Sequence, residues 1–355
     1  MQISFGPLSR GLGSAILSSL IVFISISAHA AVPARLYEGE VLVADTSDEL
    51  RTDAERGALQ AVLVKLTGRK NVLVGDVLRD PQTPPAAFIQ QFQYRGGSRA
   101  DGTDPLRFWA KFDSAAIDAL LAESGVAVWP RTRPLTAVVL GLDEGGARRV
   151  LPADDVSSLI ASIKASADAR GLPIVLPLMD LRDRVAVGPQ DLWGGFEDRI
   201  AAAADRYGAE AILYGTVTAV GSGLLDANWT LLLAGQDGRW TESSIDGGLL
   251  GQAMADSVAD SLVSTFATTD SGGASERVSI LVDGIDSASA YGITLAYLRG
   301  LDIVQSINVL SVGSGRVTIE IEAQGGISTL ARLVGIGNVM RPAGTGDDAH
   351  FRLLQ

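Results

Sequence analysis

Leu225-Asp-Ala-Asn-Trp-Thr-Leu-Leu-Leu-Ala234 places Ala227, Trp229, Leu231 and Leu233 on one side of an extended chain and Asp226, Asn228 and Thr230 on the other. A period of two residues is the mark of a half-buried antiparallel strand, apolar face inward and polar face wet. Gly221-Ser-Gly223 and Gln236-Asp-Gly238 bracket the stretch as hairpin turns, so Ala211 to Val220 and Arg239 to Ile245 become its partner strands. Working outward, Leu135 to Leu140 reads as a buried strand and Ile174 to Leu176 as a short one. A helix beginning at Asp154 or Asp155 carries Val156, Leu159, Ile160 and Ile163 on one face and stops at Gly171. A second helix runs from Gln190 to Tyr207, stopped by Gly208, and a last one puts Met254, Val258, Leu262 and Phe266 on one stripe. The middle of the chain therefore reads βαβαβββα.

The flanks read as two further small units. Arg35 to Val43 is a strand, and Thr46-Ser-Asp-Glu49 has the spacing of a capping box at a helix start. Leu59, Val62, Leu63 and Leu66 follow at helical spacing, closed by Gly68. Phe88 to Tyr94 and Leu106 to Phe112 are strands, and Ser114 to Glu123 is a short helix. At the other end, Val278 to Val282, Ile303 to Leu310, Val317 to Glu322 and Ala349 to Leu354 are strands. Tyr291, Leu295 and Leu298 mark one helix between them, and Ile327, Leu330 and Val334 the other. That order, βαββαβ, is ferredoxin-like. The fold class expected is α+β, with three small mixed α/β domains. Pro130-Arg-Thr-Arg-Pro134 breaks any helix between the first two. Thr268-Thr-Asp-Ser-Gly-Gly-Ala-Ser-Glu276 has linker composition before the third. The expected division is 31–130, 135–267 and 277–355, with 268–276 as tether.

The first thirty residues read as a secretory leader. Arg10 supplies the positive start, Leu12 to Ile26 the apolar stretch, and Ala28-His-Ala30 the small residues before a cut at Ala31. The apolar run is short for a membrane span and lacks basic stop-transfer flanks. Export leads to a periplasmic placement with no membrane anchor after cleavage. The whole chain has no cysteine, so neither disulfides nor a lipidated N-terminus are expected. Its formal net charge is −12, and loss of Arg10 makes it one unit more negative, which argues against nucleic acid and anionic lipid as partners.

Leu36-Tyr-Glu-Gly-Glu-Val-Leu-Val-Ala-Asp45, the helix running into Val64-Lys-Leu-Thr-Gly68, and Val126-Ala-Val-Trp-Pro130 together resemble an exported proteobacterial family. It is described as domain of unknown function 2066. The resemblance extends over most of the chain after the leader and implies a Gram-negative periplasmic protein; no activity, substrate or site residue comes with it. By element order alone, the middle unit resembles small domains of curli-secretion and penicillin-binding-protein activator lipoproteins. The last resembles glycan-binding repeat domains of cell-division proteins, an order that unrelated modules share.

Chemistry is constrained most by what is missing. After the leader the only histidine is His350, read as a solvated residue of a terminal edge strand. Histidine-based triads, cysteine nucleophiles and zinc sites lack their residues. Carboxylates remain. Asp143 and Glu144 follow the strand Leu135 to Leu140 among Gly141, Gly145 and Gly146, where α/β ligand sites lie, or they form a polar turn. Asp180 and Asp183 frame Arg182 and Arg184 in a second polar loop, a ligand loop or a salt-bridged surface. Trp193-Gly-Gly-Phe196 has the composition of a sugar-stacking loop, or of an anchor for the helix that follows. Trp109, Trp129, Trp229 and Trp240 read as packing, and Arg69-Lys70 as cations complementing a helix C-terminus. No cofactor is indicated. The expectation is a non-enzymatic binding or adaptor protein of the cell envelope, with an envelope protein or cell-wall component as partner. A carboxylate-dependent enzyme on cell-wall glycan and a structural spacer are the alternatives.

Overall fold

The computed structural model describes residues 33, 35–78, 83–96, 105–233, 237–266, 275–301, 303–336, 339–343 and 349–354. The leader lies outside them, as does most of the expected tether. Strand β1 (Glu38–Leu42) leads into α1 (Asp48–Thr67) and the single turn α2 (Val74–Val77); β2 (Ile89–Arg95), β3 (Arg107–Phe112) and α3 (Ser114–Ser124) complete the first unit. The sheet order is β1-β3-β2, antiparallel throughout. Ala58, Leu59, Val62, Leu63 and Leu66 of α1 are buried in one core with Phe108 and Phe112. The approach is close, because a side chain at Gly39 would meet the Ala58 carbonyl. The expected capping box does not form: Ser47 stands at the N-cap and makes no side-chain cap bond. Asp45 accepts from the Ser47 N–H instead, at 2.8 Å. Gly68 closes α1 in the left-handed conformation, φ 66°, as the spacing predicts.

The middle unit runs β4 (Thr136–Glu144), β5 (Ala147–Val150), α4 (Ser158–Arg170), β6 (Ile174–Val175), α5 (Leu181–Ala186), α6 (Pro189–Gly194) and α7 (Glu197–Asp205). It continues through β7 (Ala211–Val220), β8 (Leu224–Leu233), β9 (Gly238–Ser244) and α8 (Gly247–Phe266). The β7–β9 meander and α8 fall where their periods put them. Four details differ. β4 continues past Leu140 through Asp143 and Glu144 and turns back as β5, a strand with one buried apolar residue, Val150, among exposed neighbours. Residues 181–186 are a helix, not a loop, because the Asp180 side chain caps it by accepting from the Asp183 N–H. The expected helix Gln190 to Tyr207 is broken into α6 and α7 by Gly195, which adopts φ 63°. Ser157 caps α4, so Val156 lies outside the helix and is almost fully exposed.

Sheet order is β5-β4-β7-β8-β9, with β6 also paired to β4. β4 and β7 are parallel, and β7, β8 and β9 antiparallel. Helices α4 and α8 cover one face over Val138, Leu140, Leu213, Trp229 and Leu231. Ile200, Ala203 and Leu192 from α6 and α7 cover Ala137, Val139, Ile212 and Tyr214 on the other.

Two buried arginines join the first unit to the middle one. Arg133 lies on the Trp129 ring at 4.0 Å and donates to the carbonyls of Lys65, at 2.8 Å, and Gly171. Arg170, at the last turn of α4, donates to the Gly68 carbonyl at 2.6 Å, to Asp256 at 2.8 Å and to Asp260. The carbonyls at the end of α1 thus meet guanidinium groups, as helix C-termini favour. Lys70 pairs with Asp256, so the basic residue after α1 has a partner on α8. The Pro130–Pro134 segment runs through this junction.

The C-terminal unit is β10 (Ser275–Ile285), α9 (Ala288–Arg299), β11 (Val304–Gly313), β12 (Gly315–Gln324), α10 (Gly326–Ile336), β13 (Met340–Pro342) and β14 (His350–Leu353). Val278, Ile280, Val282, Val317, Ile319 and Ile321 meet Leu298, Leu330 and Val334 in its own core. Ser275 and Glu276, expected in the tether, pair with Gln324 and Ala323 as the start of β10. β13 adds a strand to the expected order. It reverses the chain once more before β14, so β14 runs parallel to β10 within the order β11-β12-β10-β14-β13. His350 is therefore not on an edge strand. It is half-buried, with Nε2 2.8 Å from Asp283. Among the described residues no helix is long and apolar enough to cross a membrane. The architecture is α+β, built from three sheets, the first antiparallel and the other two mixed.

Candidate functional site

The register of the middle sheet decides which side chains stand together. On the face that carries α6 and α7, three cross-strand rows succeed one another. Val139, Tyr214, Thr230 and Arg239 form the first, Gly141, Thr216, Asn228 and Thr241 the second, and Asp143, Thr218, Asp226 and Ser243 the third. The helices bury the first row, with Tyr214 and Thr230 in it, and beyond it cover only the β4 end, where Gly141 lies under Trp193 and Leu192 and Asp143 is buried. Thr216, Thr218 and Asp226 are half-open, and Asn228, Thr241 and Ser243 are exposed. The result is a sheet with one face packed along most of its length and half of the other left bare. Directly opposed side chains in such rows lie about 5 Å apart, and successive rows about 7 Å.

A cleft of about 430 Å³ opens where the bare face meets the helices, lined by Trp193, Glu197, Tyr214, Thr216, Asn228 and Arg239 among others. Trp193 is seated over Gly141, where even a methyl group would collide with the indole. Arg148 of β5 lies over the same ring at 4.7 Å, and its Nε donates to Asp143 at 2.9 Å. Asp143 also accepts from the Gly146 N–H at 2.7 Å, and these bonds, the Arg148 one foremost, hold its carboxyl below the usual range. On the opposite wall Glu197 accepts from Arg239 at 2.6 Å and from the Tyr214 hydroxyl at 3.0 Å. The Arg239 bond is the chief reason its carboxyl also titrates low.

Asp143 and Trp193, widely separated in sequence, are thus brought together through Arg148 and Gly141. Glu144 is the exposed end of the strand, 3.9 Å from Arg149, and takes no part in the cleft. Phe196 is at the N-terminus of α7, more than half exposed, beside Gly194. Asp180 and Asp183 belong to a different place. Arg206 bridges them, at 2.7 Å to Asp180 and 2.6 Å to Asp183, and Tyr207 donates to Asp183 at 2.5 Å. The guanidinium keeps the Asp180 carboxyl far below its ordinary range. Asp183 is fully buried and accepts from the Met179 N–H at 2.9 Å. Met179 is the one described non-glycine residue with positive φ, at 53°. Asp183 therefore holds a left-handed turn that methionine rarely adopts. Its role here is to shape the chain.

The carboxylates flagged by the sequence are each engaged with arginine or with backbone donors. Among the described residues no three His, Asp or Glu side chains converge as a metal site would need. What the cleft offers is an array of hydroxyl and amide groups beside an indole. Arg148, Glu197, Tyr214, Arg239, Thr216, Thr218, Asn228 and Thr241 escape a reading by motif. The wet positions of three successive strands were the available signal, and Asp226, Asn228 and Thr230 already showed it.

Residues 30–130 match a family model described as Domain of unknown function (DUF8605). The N-terminal unit is thus an uncharacterised domain. No curated protein matches the chain.

Proposed function

We propose that this is an exported, non-catalytic binding protein of the bacterial envelope, and that the bare half of the middle sheet is its binding surface. The observation that carries the reading is the unequal covering of one sheet. The same helices that seal the first row leave the β7–β9 part of two further rows uncovered, and its side chains are all polar. A face left open beside an ordered wall of Trp193 and Arg148 is where a ligand finds both an apolar surface and hydrogen-bonding groups. The locked state of Asp143 and Glu197 supports binding over catalysis, because a general acid needs a carboxyl held near neutral pH rather than below its ordinary range.

Residues 10–30 support export, and the match that begins at residue 30 starts where the leader is expected to end. The resemblance of 36–45, 64–68 and 126–130 to the proteobacterial domain of unknown function 2066 supports the same placement. Intact-mass measurement of the periplasmic protein is expected to give the chain from Ala31 with no lipid adduct; a retained leader would sink the placement.

The binding surface is tested with immobilised mature protein and an envelope extract. Wild type and a Leu181→Arg variant, altered on α5 away from the face, should retain the same component. Thr241→Arg, exposed on edge strand β9, should lose it. Equal retention by all three, or turnover of an envelope substrate by the wild type, would overturn the reading.

A further inference from the structure

We infer that the cleft over β7–β9 takes a neutral, polyhydroxylated ligand, that is, a segment of glycan chain. The inference rests on the proposed binding surface and names its ligand class. Charge is the first argument. The two arginines at the rim are each already paired, Arg239 with Glu197 and Arg148 with Asp143. An anion would have to displace a carboxylate from one of them and would also meet Asp226, whose partner is the Ser243 hydroxyl at 2.6 Å. A cation would find Glu197 and Asp143 already neutralised by arginine, and only the single carboxylate of Asp226, itself bonded to Ser243, beyond them. A neutral ligand leaves all of these pairs in place.

The second argument is the type of group presented. Thr216, Thr218 and Thr241 each donate one hydrogen bond and accept others, Ser243 can accept while its proton goes to Asp226, and Asn228 offers a carbonyl and an amino group. A surface made of groups that donate and accept alike matches a ligand made of hydroxyls, which do the same. The rows repeat at a regular spacing along the strands, so a repeating chain can place successive rings over successive rows. The third argument is Trp193. It is a half-buried indole fixed over Gly141, the one residue in its row with no side chain to displace it. Sugars carry apolar C–H faces that pack on aromatic rings while their hydroxyls turn to the sides. An extended peptide would instead seek the open backbone edge of β9 and leave the cleft untouched.

The test uses the full mature protein and chitotetraose, a neutral N-acetylglucosamine oligomer, followed by isothermal titration and by amide NMR. Saturable binding is expected, with the side-chain N–H signals of Trp193 and Asn228 shifting together. Asn228→Ala and Trp193→Ala should each weaken it about tenfold or more, the loss of one good contact. Asn228 is exposed, so its variant should keep the wild-type melting temperature, which separates lost contact from lost fold. No binding by the wild type, or binding unchanged in both variants, overturns the glycan inference. If the wild type nevertheless loses its envelope component on Thr241→Arg, the binding surface stands and the ligand is of another class. If a β-strand peptide binds and shifts β9 amides while chitotetraose does not, the occupant is a peptide.

Discussion

Arg170→Ala should lower the melting temperature by on the order of 10 °C, the largest single-residue effect expected in this chain. Arg170 is 2% exposed and its guanidinium serves three partners from two units. Truncation leaves the Gly68 carbonyl at the end of α1 without its donor and Asp256 with only Lys70 beside it. Removing one member of a buried charged network costs up to about 3–5 kcal/mol, and here the cost falls on the Gly68 carbonyl and Asp256, since Asp260 is 69% exposed and regains water. Lysine at this position keeps the charge but has no fork, so it should fall between wild type and alanine. The measurement is thermal melting followed by circular dichroism. A shift of only a degree or two would mean that the first and middle units are held together by their apolar contacts alone. Arg170→Met, which fills the volume without charge, would then be indistinguishable from wild type.

The contrast between what the sequence discloses and what it hides runs along physical lines. The β7–β9 meander, α1 and α8 were legible because their faces are set by hydrophobic periods that only one structure satisfies. Strand β5 was not, since Ala147-Arg-Arg-Val150 has a single core residue and takes its extended form from pairing with β4. Helix α5 was hidden by its charges: Asp180 and Asp183 read as a polar loop, yet one caps the helix and the other sits inside it. Nothing in the sequence around Arg133 and Arg170 marks them as buried. Their burial arises from where the chain ends of α1 and α4 meet, a distance in space that no local pattern encodes. The candidate site divides in the same way. Trp193 and Asp143 were visible as unusual residues, and the wet side of β8 as a strand face. Their union depends on the β4–β7 register and on how far α6 and α7 reach across the sheet, and both are tertiary facts. His350 shows the reverse error, in which a terminal position suggested an edge that β13 covers.

The seam between the middle and C-terminal units should loosen as pH rises. Glu210 immediately precedes β7, and its Oε2 is sealed from solvent with no hydrogen-bond partner. Burial pushes its carboxyl up from the ordinary 4.5 to about 7. Tyr297 of α9 faces it across the seam: burial chiefly, and then the Glu210 charge, push that phenol up as well. The seam also carries hydrogen bonds from Thr132 to the Gly300 carbonyl at 3.5 Å and from Arg332 to the Thr265 carbonyl at 3.0 Å. Because the folded carboxyl binds its proton more tightly than the unfolded one, its contribution is complete below pH 4.5. It declines through the window from 4.5 to about 7 and is gone above it. The full swing is roughly 3 kcal/mol. Melting temperature should therefore fall between pH 5 and 8 in the wild type. Glu210→Gln, neutral throughout, should flatten that slope and make the pH 8 protein as stable as the wild type at low pH. Limited proteolysis in the expected 268–276 tether should release the 277–355 fragment faster at pH 8 than at pH 5, and the glutamine variant should abolish the difference. A wild-type slope that survives Glu210→Gln would assign the pH response to other carboxyls and leave this seam indifferent to protonation.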